Sequence, residues 1–420
     1  MRPPLSLLSA CTIISLFFST RLIAQVQKLY LNPDAAIGAN QSKFIDSIKI
    51  IPLETTGEPI KSWSWLIVTQ NYFVIREQET DAFKLSIFKK DGKLVKQIPL
   101  KKYGGWGVPT YDEREDIIKV KANNKNYSLT TNDNLDIMEH YTDPRNKKYF
   151  KTYIIDLKDP AFRVQPVAIE PYDILNASRY YDDYYLLSNI SSNKKYKDKA
   201  GYELKVLLNN KMVKEFFPYN RRTDIRYKFG GYKGFHVSLS STDTSYIKYV
   251  TRPYDYIIYK LNKDSIYPAY HIVLPLAHSL PASFFNTDFK TKTEKENYEQ
   301  NNNSFVEQIY NFKEYKKFIF FGLSYLYNKW ESFIYNKEDK KLYKADKIKG
   351  DSSQYNLQLI NNFSLNEGEN GKFYTTQKAS DLLEFYKTHK GMIYPKELSD
   401  FFKIATEKSN PVVVEFTLKN

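Results

Sequence analysis

Paired carboxylates are the first residues in this chain whose type and spacing allow chemistry. Asp112-Glu113, Glu115-Asp116 and Asp182-Asp183 are acids of the kind glycosidases bring together, one to protonate the leaving oxygen and one to act as base or nucleophile. No sequence spacing marks such a pair, and the neighbouring lysines make solvated loop acids the plainer account. Asn132-Asp133-Asn134-Leu135-Asp136 resembles part of a calcium loop but lacks the central glycine and closing glutamate of an EF-hand. A hairpin turn explains it equally well. His140, His236, His271, His278 and His389 form no pair at metal spacing and no His-Glu-x-x-His motif. Nucleophile elbow, phosphate loop and dinucleotide fingerprint are all absent from the sequence. No catalytic residue, metal ligand or cofactor is therefore assigned.

Binding chemistry is better represented. Trp63, Trp65, Trp106 and Trp330 offer indole faces for stacking on a sugar ring or another flat ligand. Trp63 and Trp65 alternate on a strand, share a face and are expected in the core or at a blade interface. Trp106 stands among glycines in a loop, with Tyr111 and Arg114 close behind it. Trp106, Tyr111 and Arg114 are the candidate ligand-binding residues.

These residues must be held by a scaffold, and the scaffold is written as a repeated phrase of aromatic and β-branched run, polar turn and second run. Copies begin at Leu85, Tyr153, Leu204, Tyr256 and Phe333, with turn centres near Asp91, Asp159, Asn210, Asp264 and Asp339. The first unit is the clearest: Leu66 to Val68 with Tyr72 to Ile75, then Leu85 to Phe88 with Leu94 to Ile98 around Asp91-Gly92. Asp-Gly favours a tight hairpin because the turn needs positive φ. A lone hairpin buries too little surface to be stable, so the units must stack, as in a radial β architecture. Length allows six blades or seven slimmer ones. The fold class is all-β, a six-bladed β-propeller of four-stranded antiparallel blades with short helices near the C-terminus.

Two stretches break the β pattern. Residues 283–312 are polar and read as a loop with a short helix. Residues 379–408 read as two helices, one capped by Ser380 and Asp381 and one opened by Pro395, followed by a final strand from Val412 to Leu418.

Composition sets the remaining bounds. Of 420 residues 16% are aromatic, with 36 Tyr and 27 Phe against 4 Met, a bias suited to half-buried pleated strands. Arg2, the apolar stretch Leu5 to Phe18, and Leu22-Ile23-Ala24 before Gln25 have the form of a signal peptide. The expected organisation is a signal peptide at 1–24, a lead-in at 25–43 and a single propeller domain at 44–420. Leu8-Ser9-Ala10-Cys11 permits a lipobox with a lipid anchor at Cys11 instead. Both readings export the chain, to the periplasm or cell envelope. Cys11 is the only cysteine, so a disulfide within the chain is excluded. No later segment is apolar enough for a transmembrane helix. The formal charge of +14 attracts anionic partners in principle, but the lysines are spread through turns and strand edges, where they discourage edge pairing. Nucleic acid is not an expected partner.

Asp46-Ser-Ile-Lys-Ile-Ile-Pro-Leu-Glu-Thr-Thr, Phe88-Lys-Lys-Asp-Gly-Lys, Tyr256-Ile-Ile-Tyr, Pro268-Ala-Tyr and the ending Asn410-Pro-Val-Val-Val-Glu-Phe-Thr-Leu-Lys resemble the exported six-bladed β-propeller proteins of Bacteroidetes bacteria. The resemblance runs from about Phe44 to the C-terminus, and it implies the fold without implying a chemistry. The family's Gly-rich loop after the first blade corresponds to Tyr103-Gly-Gly-Trp-Gly-Val-Pro-Thr-Tyr111, which lacks the usual Gly-Glu-Tyr ending. The expected function is an exported binding or interaction module, using propeller loops or the axial channel to take a glycan, peptide or envelope protein. The alternative is a carbohydrate-active lyase or hydrolase with acids in the central channel.

Overall fold

The computed structural model describes residues 26–56, 59–60, 63–78, 83–103, 109–124, 143–170, 178–181, 183–188, 200–209, 211–220, 223–229, 236–239, 248–263, 265–360, 366–367 and 371–420. The signal-peptide region, Trp106, His140 and the calcium-like segment 132–136 lie outside them.

Six small antiparallel sheets form the ring of a six-bladed propeller. The chain opens with β1 (Gln27–Tyr30), β2 (Ile37–Asn40) and β3 (Ile45–Pro52). The first blade is β4 (Trp63–Val68), β5 (Tyr72–Gln78), β6 (Phe83–Lys89) and β7 (Leu94–Pro99). The second is β8 (Pro109–Asp112), β9 (Ile117–Asn123), β10 (Phe150–Asp156) and β11 (Val164–Val167). The third is β12 (Ser178–Tyr181), β13 (Tyr184–Ser188), β14 (Ala200–Leu208) and β15 (Lys211–Asn220). The fourth is β16 (His236–Leu239), β17 (Lys248–Thr251), β18 (Ile257–Asn262) and β19 (Ser265–Val273). The fifth is β20 (Val306–Tyr315), β21 (Phe318–Tyr325), β22 (Trp330–Asn336) and β23 (Lys341–Lys349). The sixth is β24 (Asn366–Glu367), β25 (Lys372–Gln377) and β26 (Val412–Leu418), completed by β3. First strands of neighbouring blades approach each other, β24 against β4 and β16 against β20, which places them toward the axis.

The five copies of the repeated phrase are the hairpins between third and fourth strands of blades one to five. Gly92 takes φ 89° in the first, the conformation that its Asp-Gly turn requires. In the sixth blade this hairpin has no turn, because its two strands come from opposite ends of the chain. Val414 pairs with Ile50 and Val413 with Ile51, so the two phrases that carry the family resemblance most closely are the two halves of one closure.

Residues 27–40 are also built into the sheets. β1 runs parallel to β19, with Leu29 opposite Ile272, and β2 runs parallel to β23, with Ile37 opposite Tyr343. The N-terminal segment thus caps the outer edges of blades four, five and six in succession. Capping removes two open strand edges that would otherwise offer pairing to another chain.

The core is a set of wedges between blades. Val74, Leu85 and Ile87 of the first blade meet Ile118 and Val120 of the second. Tyr249 and Ile272 of the fourth meet Phe312 and Phe321 of the fifth. Phe318 and Tyr343 of the fifth meet Val412 and Phe416 of the sixth around Phe44. Between the second and third blades Arg179 pairs with Asp112 at 2.9 Å. Buried tyrosines satisfy their hydroxyls with carboxylates that also hold a lysine: Tyr374 donates to Glu415 at 2.8 Å beside Lys372 at 2.9 Å, and Tyr325 donates to Glu331 at 2.5 Å beside Lys344 at 2.8 Å.

The expected helical regions need two corrections. Ala282–Asn286 and Lys292–Asn301 are helical, but the chain returns to strand at Val306, earlier than the polar composition implied, because Val306, Ile309 and Phe312 belong to the core. The helix Ala379–Thr388 has Lys378 at its N-cap position, without a side-chain capping bond, and Ser380 and Asp381 lie in its first turn. Pro395 does cap the helix Lys396–Ile404, and Leu382, Leu398 and Phe401 pack it and its neighbour onto the closing blade.

Candidate functional site

Strand direction sorts the connections onto two faces. Four antiparallel strands per blade put every blade-to-blade connection at the same end as the connections between second and third strands. Of the described residues, this entry face carries 143–149, 223–229, 274–305, 350–360 and 378–411. The opposite, hairpin face carries no connection longer than eight residues. A surface able to recognise a large ligand is therefore assembled on the entry face.

Exposed apolar side chains follow that division. Ile393, Leu276, Ile404 and Trp330, 91%, 90%, 82% and 64% exposed, lie on the entry face, with Phe285 and Tyr327 beside them. Toward the hairpin face the exposed large apolar side chains are less exposed: Ile37, Val213 and Tyr267 at 44%, 41% and 37%. Trp330 donates its indole N–H to Ser324 Oγ at 2.9 Å, which fixes the ring while leaving it in solvent. Tyr386 and Phe402 stack at 4.3 Å between the two C-terminal helices, giving that region a rigid aromatic base.

Two clusters of buried charged groups near the entry face are paired. Glu203, fully buried, receives Arg252 through Nε at 2.7 Å and Nη2 at 2.8 Å, and Arg226 at 3.0 Å. Asp255 takes Arg252 at 3.1 Å and Tyr259 at 3.0 Å, and Asp224 holds Arg226 at 2.5 Å. Burial opposes the Arg252 charge, but the Glu203 carboxylate outweighs it and pushes the pKa up. Burial beside Asp255 pushes the Tyr259 hydroxyl up to about 12. A second cluster joins the 274–305 insertion to the fourth blade. Lys295 reaches the Tyr254 hydroxyl at 2.9 Å and Glu299 at 2.9 Å, and burial beside Glu307 and Glu299 holds Tyr254 protonated. His278 bridges Asp34 at 2.8 Å and the Ser304 carbonyl at 2.9 Å.

The candidate acids of the second and third blades fall on the hairpin face. Asp112 and Asp183 both hold Arg179, at 2.9 Å and 3.0 Å, and Asp116 accepts the Tyr111 hydroxyl at 2.9 Å. Asp182 lies outside the described residues. The carboxyl groups of Glu314, Glu331, Asp339 and Glu415 are pushed down: burial opposes their ionisation, and hydrogen bonds from lysine and tyrosine outweigh it. Such groups are ion-pair partners, held in the charged form. Among the described residues no group of three or more His, Cys, Asp or Glu side chains is arranged to hold a metal ion.

Of the three residues proposed from sequence, Trp106 lies outside the described residues. The chain enters β8 at Pro109 on the entry face and leaves at Asp112 on the hairpin face, with Tyr111 on the strand. Arg114 follows that exit and lies 3.5 Å from Asp183, largely exposed. Tyr111 packs its ring against the wedge between the first two blades. The expectation for Trp65 is corrected: a register shift between Trp63 and Trp65 turns its indole outward, and it is 47% exposed. Arg76, a buried arginine within an apolar strand, was missed by reading the sequence. Its one signal is a charge inside Tyr72-Phe-Val-Ile-Arg76, where alternation alone does not say which face it takes.

No protein-family profile matches the chain, and no curated protein matches it in sequence. In structure it is similar to a protein from Bacteroides fragilis inferred to be exported, with a TM-score of 0.57 and 14% identity over 94% of this chain and 100% of that one. It also matches a member of the DUF4221 family from Bacteroides vulgatus, with a TM-score of 0.38 and 11% identity over 89% of this chain and 97% of that one. At these identities the likeness is one of fold. No helix among the described residues is long and apolar enough to cross a membrane.

Proposed function

We propose that this protein is an exported recognition module of the cell envelope, related to the six-bladed propellers of Bacteroidetes, that binds a glycan, peptide or envelope protein on its entry face without transforming it. The observation that carries this reading is that Ile393, Leu276, Ile404 and Trp330, among the most exposed large apolar side chains, lie on the face that also holds the long described connections. Large apolar groups left in water beside polar rims mark interaction surfaces. Carboxylates paired with arginine and lysine in the same region support binding over acid-base catalysis. Export is supported by the form of the N-terminus and by the fold shared with an inferred exported protein.

The test is a glycan and peptide binding screen on residues 25–420 with product analysis of each hit. Wild-type protein is expected to retain a ligand unchanged, and the combined Trp330→Ala and Ile393→Asp substitutions are expected to weaken that binding by at least about tenfold, equivalent to about 1.4 kcal/mol. Release of a shortened or unsaturated product would replace the binding reading with an enzymatic one.

A further inference from the structure

Among the described residues Arg76 is a buried cation that packs against rings and pairs with no acid. It is 7% exposed, and its guanidinium carbon lies 3.6 Å from the Phe83 ring centre and 5.0 Å from that of Trp65. Its Nε is buried without a hydrogen-bond partner, and no carboxylate among the described residues pairs with it. The neighbouring acid is directed elsewhere. Glu77 lies on the other face of the sheet, where it holds Lys84 at 3.2 Å and accepts the Ser86 hydroxyl at 2.5 Å. The contrast with Arg179, Arg226 and Arg252, each paired with one or more carboxylates, makes Arg76 the exception in a molecule that otherwise neutralises its partly buried arginines.

The position of Arg76 suits an external anion. Register pairs it with Trp65 on the first strand and Leu85 on the third, near the entry end of the first blade. The Phe83 ring and the Trp65 indole both pack against the guanidinium group. Trp65 is half exposed, so an indole surface and a guanidinium edge stand side by side at the same mouth. Burial lowers the Arg76 pKa, and an arriving anion would relieve that cost.

We propose that Trp65 and Arg76 form a subsite for a uronate residue of an acidic polysaccharide, the carboxylate taken by Arg76 and the sugar ring stacked on Trp65. The assignment rests on the recognition reading and adds the class of ligand. A hexuronate carries a flat C–H face and a carboxylate on the adjoining carbon, so one residue meets both groups. An acidic peptide carries its carboxylate on a flexible arm with no flat face for the indole. The net positive charge of the chain favours the approach of a polyanion.

The test is calorimetric titration of the full mature chain with a galacturonate oligosaccharide, its methyl ester and polyglutamate. The acid form should bind at least about tenfold more tightly than the ester or polyglutamate, the range of a charge-assisted hydrogen bond. Arg76→Gln and Trp65→Ala should each lose at least about tenfold in affinity. Lys93→Gln, on the hairpin face, should bind as wild type. Thermal midpoints are measured alongside, and Arg76→Met should melt no lower than wild type, since it removes a charge that no protein group neutralises. Equal binding of acid and ester, equal binding of polyglutamate, or an Arg76→Gln variant that binds as wild type would overturn the subsite while leaving the recognition reading in place. No binding of the oligosaccharide to wild type would also overturn it, and the entry-face screen with Trp330 and Ile393 variants would then judge the recognition reading separately.

Discussion

Asn410 donates its side-chain Nδ2 to the main-chain carbonyl of Glu54 at 2.7 Å, joining residues 356 positions apart. The same side chain accepts the Ile60 N–H at 2.8 Å, and its main-chain N–H donates to Thr55 Oγ1 at 2.8 Å. One fully buried amide thus fastens the entry to the last strand against the exit from β3. Replacing it by alanine leaves a buried donor and a buried acceptor without partners. Asn410→Ala should destabilise the fold by about 2–5 kcal/mol, read as a lower midpoint in denaturant titration.

Removing residues 410–420 goes further, because β26 supplies the partner of both β25 and β3. The truncated chain should lose its cooperative thermal transition. An unchanged melting curve would show that the closing pairing contributes nothing.

A chain beginning at Asn40 tests the edge role of β1 and β2. It keeps Gln41, whose Oε1 accepts the Leu359 and Ile360 N–H groups at 2.7 Å and 2.9 Å, but uncovers the outer edges of β19 and β23. It should fold and show concentration-dependent association by sedimentation, because an open strand edge invites pairing.

Glu203→Gln should destabilise by about 3–5 kcal/mol, since it leaves Arg226 and Arg252 facing each other with their shared anion removed. Adding Arg252→Met should recover part of that loss. Double-mutant analysis of the unfolding midpoints checks the coupling.

Stability should fall in acid and hold through neutral pH. Glu314, Glu331 and Glu415 lie below their ordinary 4.5, and Asp339 below 3.8. A lowered folded pKa gives stabilisation that is present above the ordinary value and lost as pH drops through the folded one. The raised tyrosines act in the opposite sense: Tyr259, pushed up to about 12 from 10.0, stabilises below its ordinary value and ceases to do so as pH rises through the folded one. Thermal midpoints should be level from about pH 5 to about pH 10 and decline outside that range.

Local chemistry was legible in the residues themselves. Alternating aromatic and β-branched runs, Asp91-Gly92, Pro395 and the strand from Val412 to Leu418 were read correctly because each depends on neighbours within a few positions. Residues 306–312 and the cap at Lys378 were misread because polar composition and local preference gave way to packing against other blades. Of the candidate site, Trp106 lies outside the described residues, while Tyr111 on β8 and Arg114 just after it lie toward the hairpin face, since an extended strand advances about 3.3 Å per residue.

What the sequence alone determined is the unit: its hairpins, its repeat and the closing phrases at either end, all products of side-chain alternation and turn conformation. Only the tertiary structure decided that Ile50 and Val414 would share one sheet, that Trp65 would face water, and that Arg76 would be buried without an acid. Those outcomes depend on which surfaces meet when the ring shuts, and contacts between residues hundreds of positions apart leave no local mark on the chain.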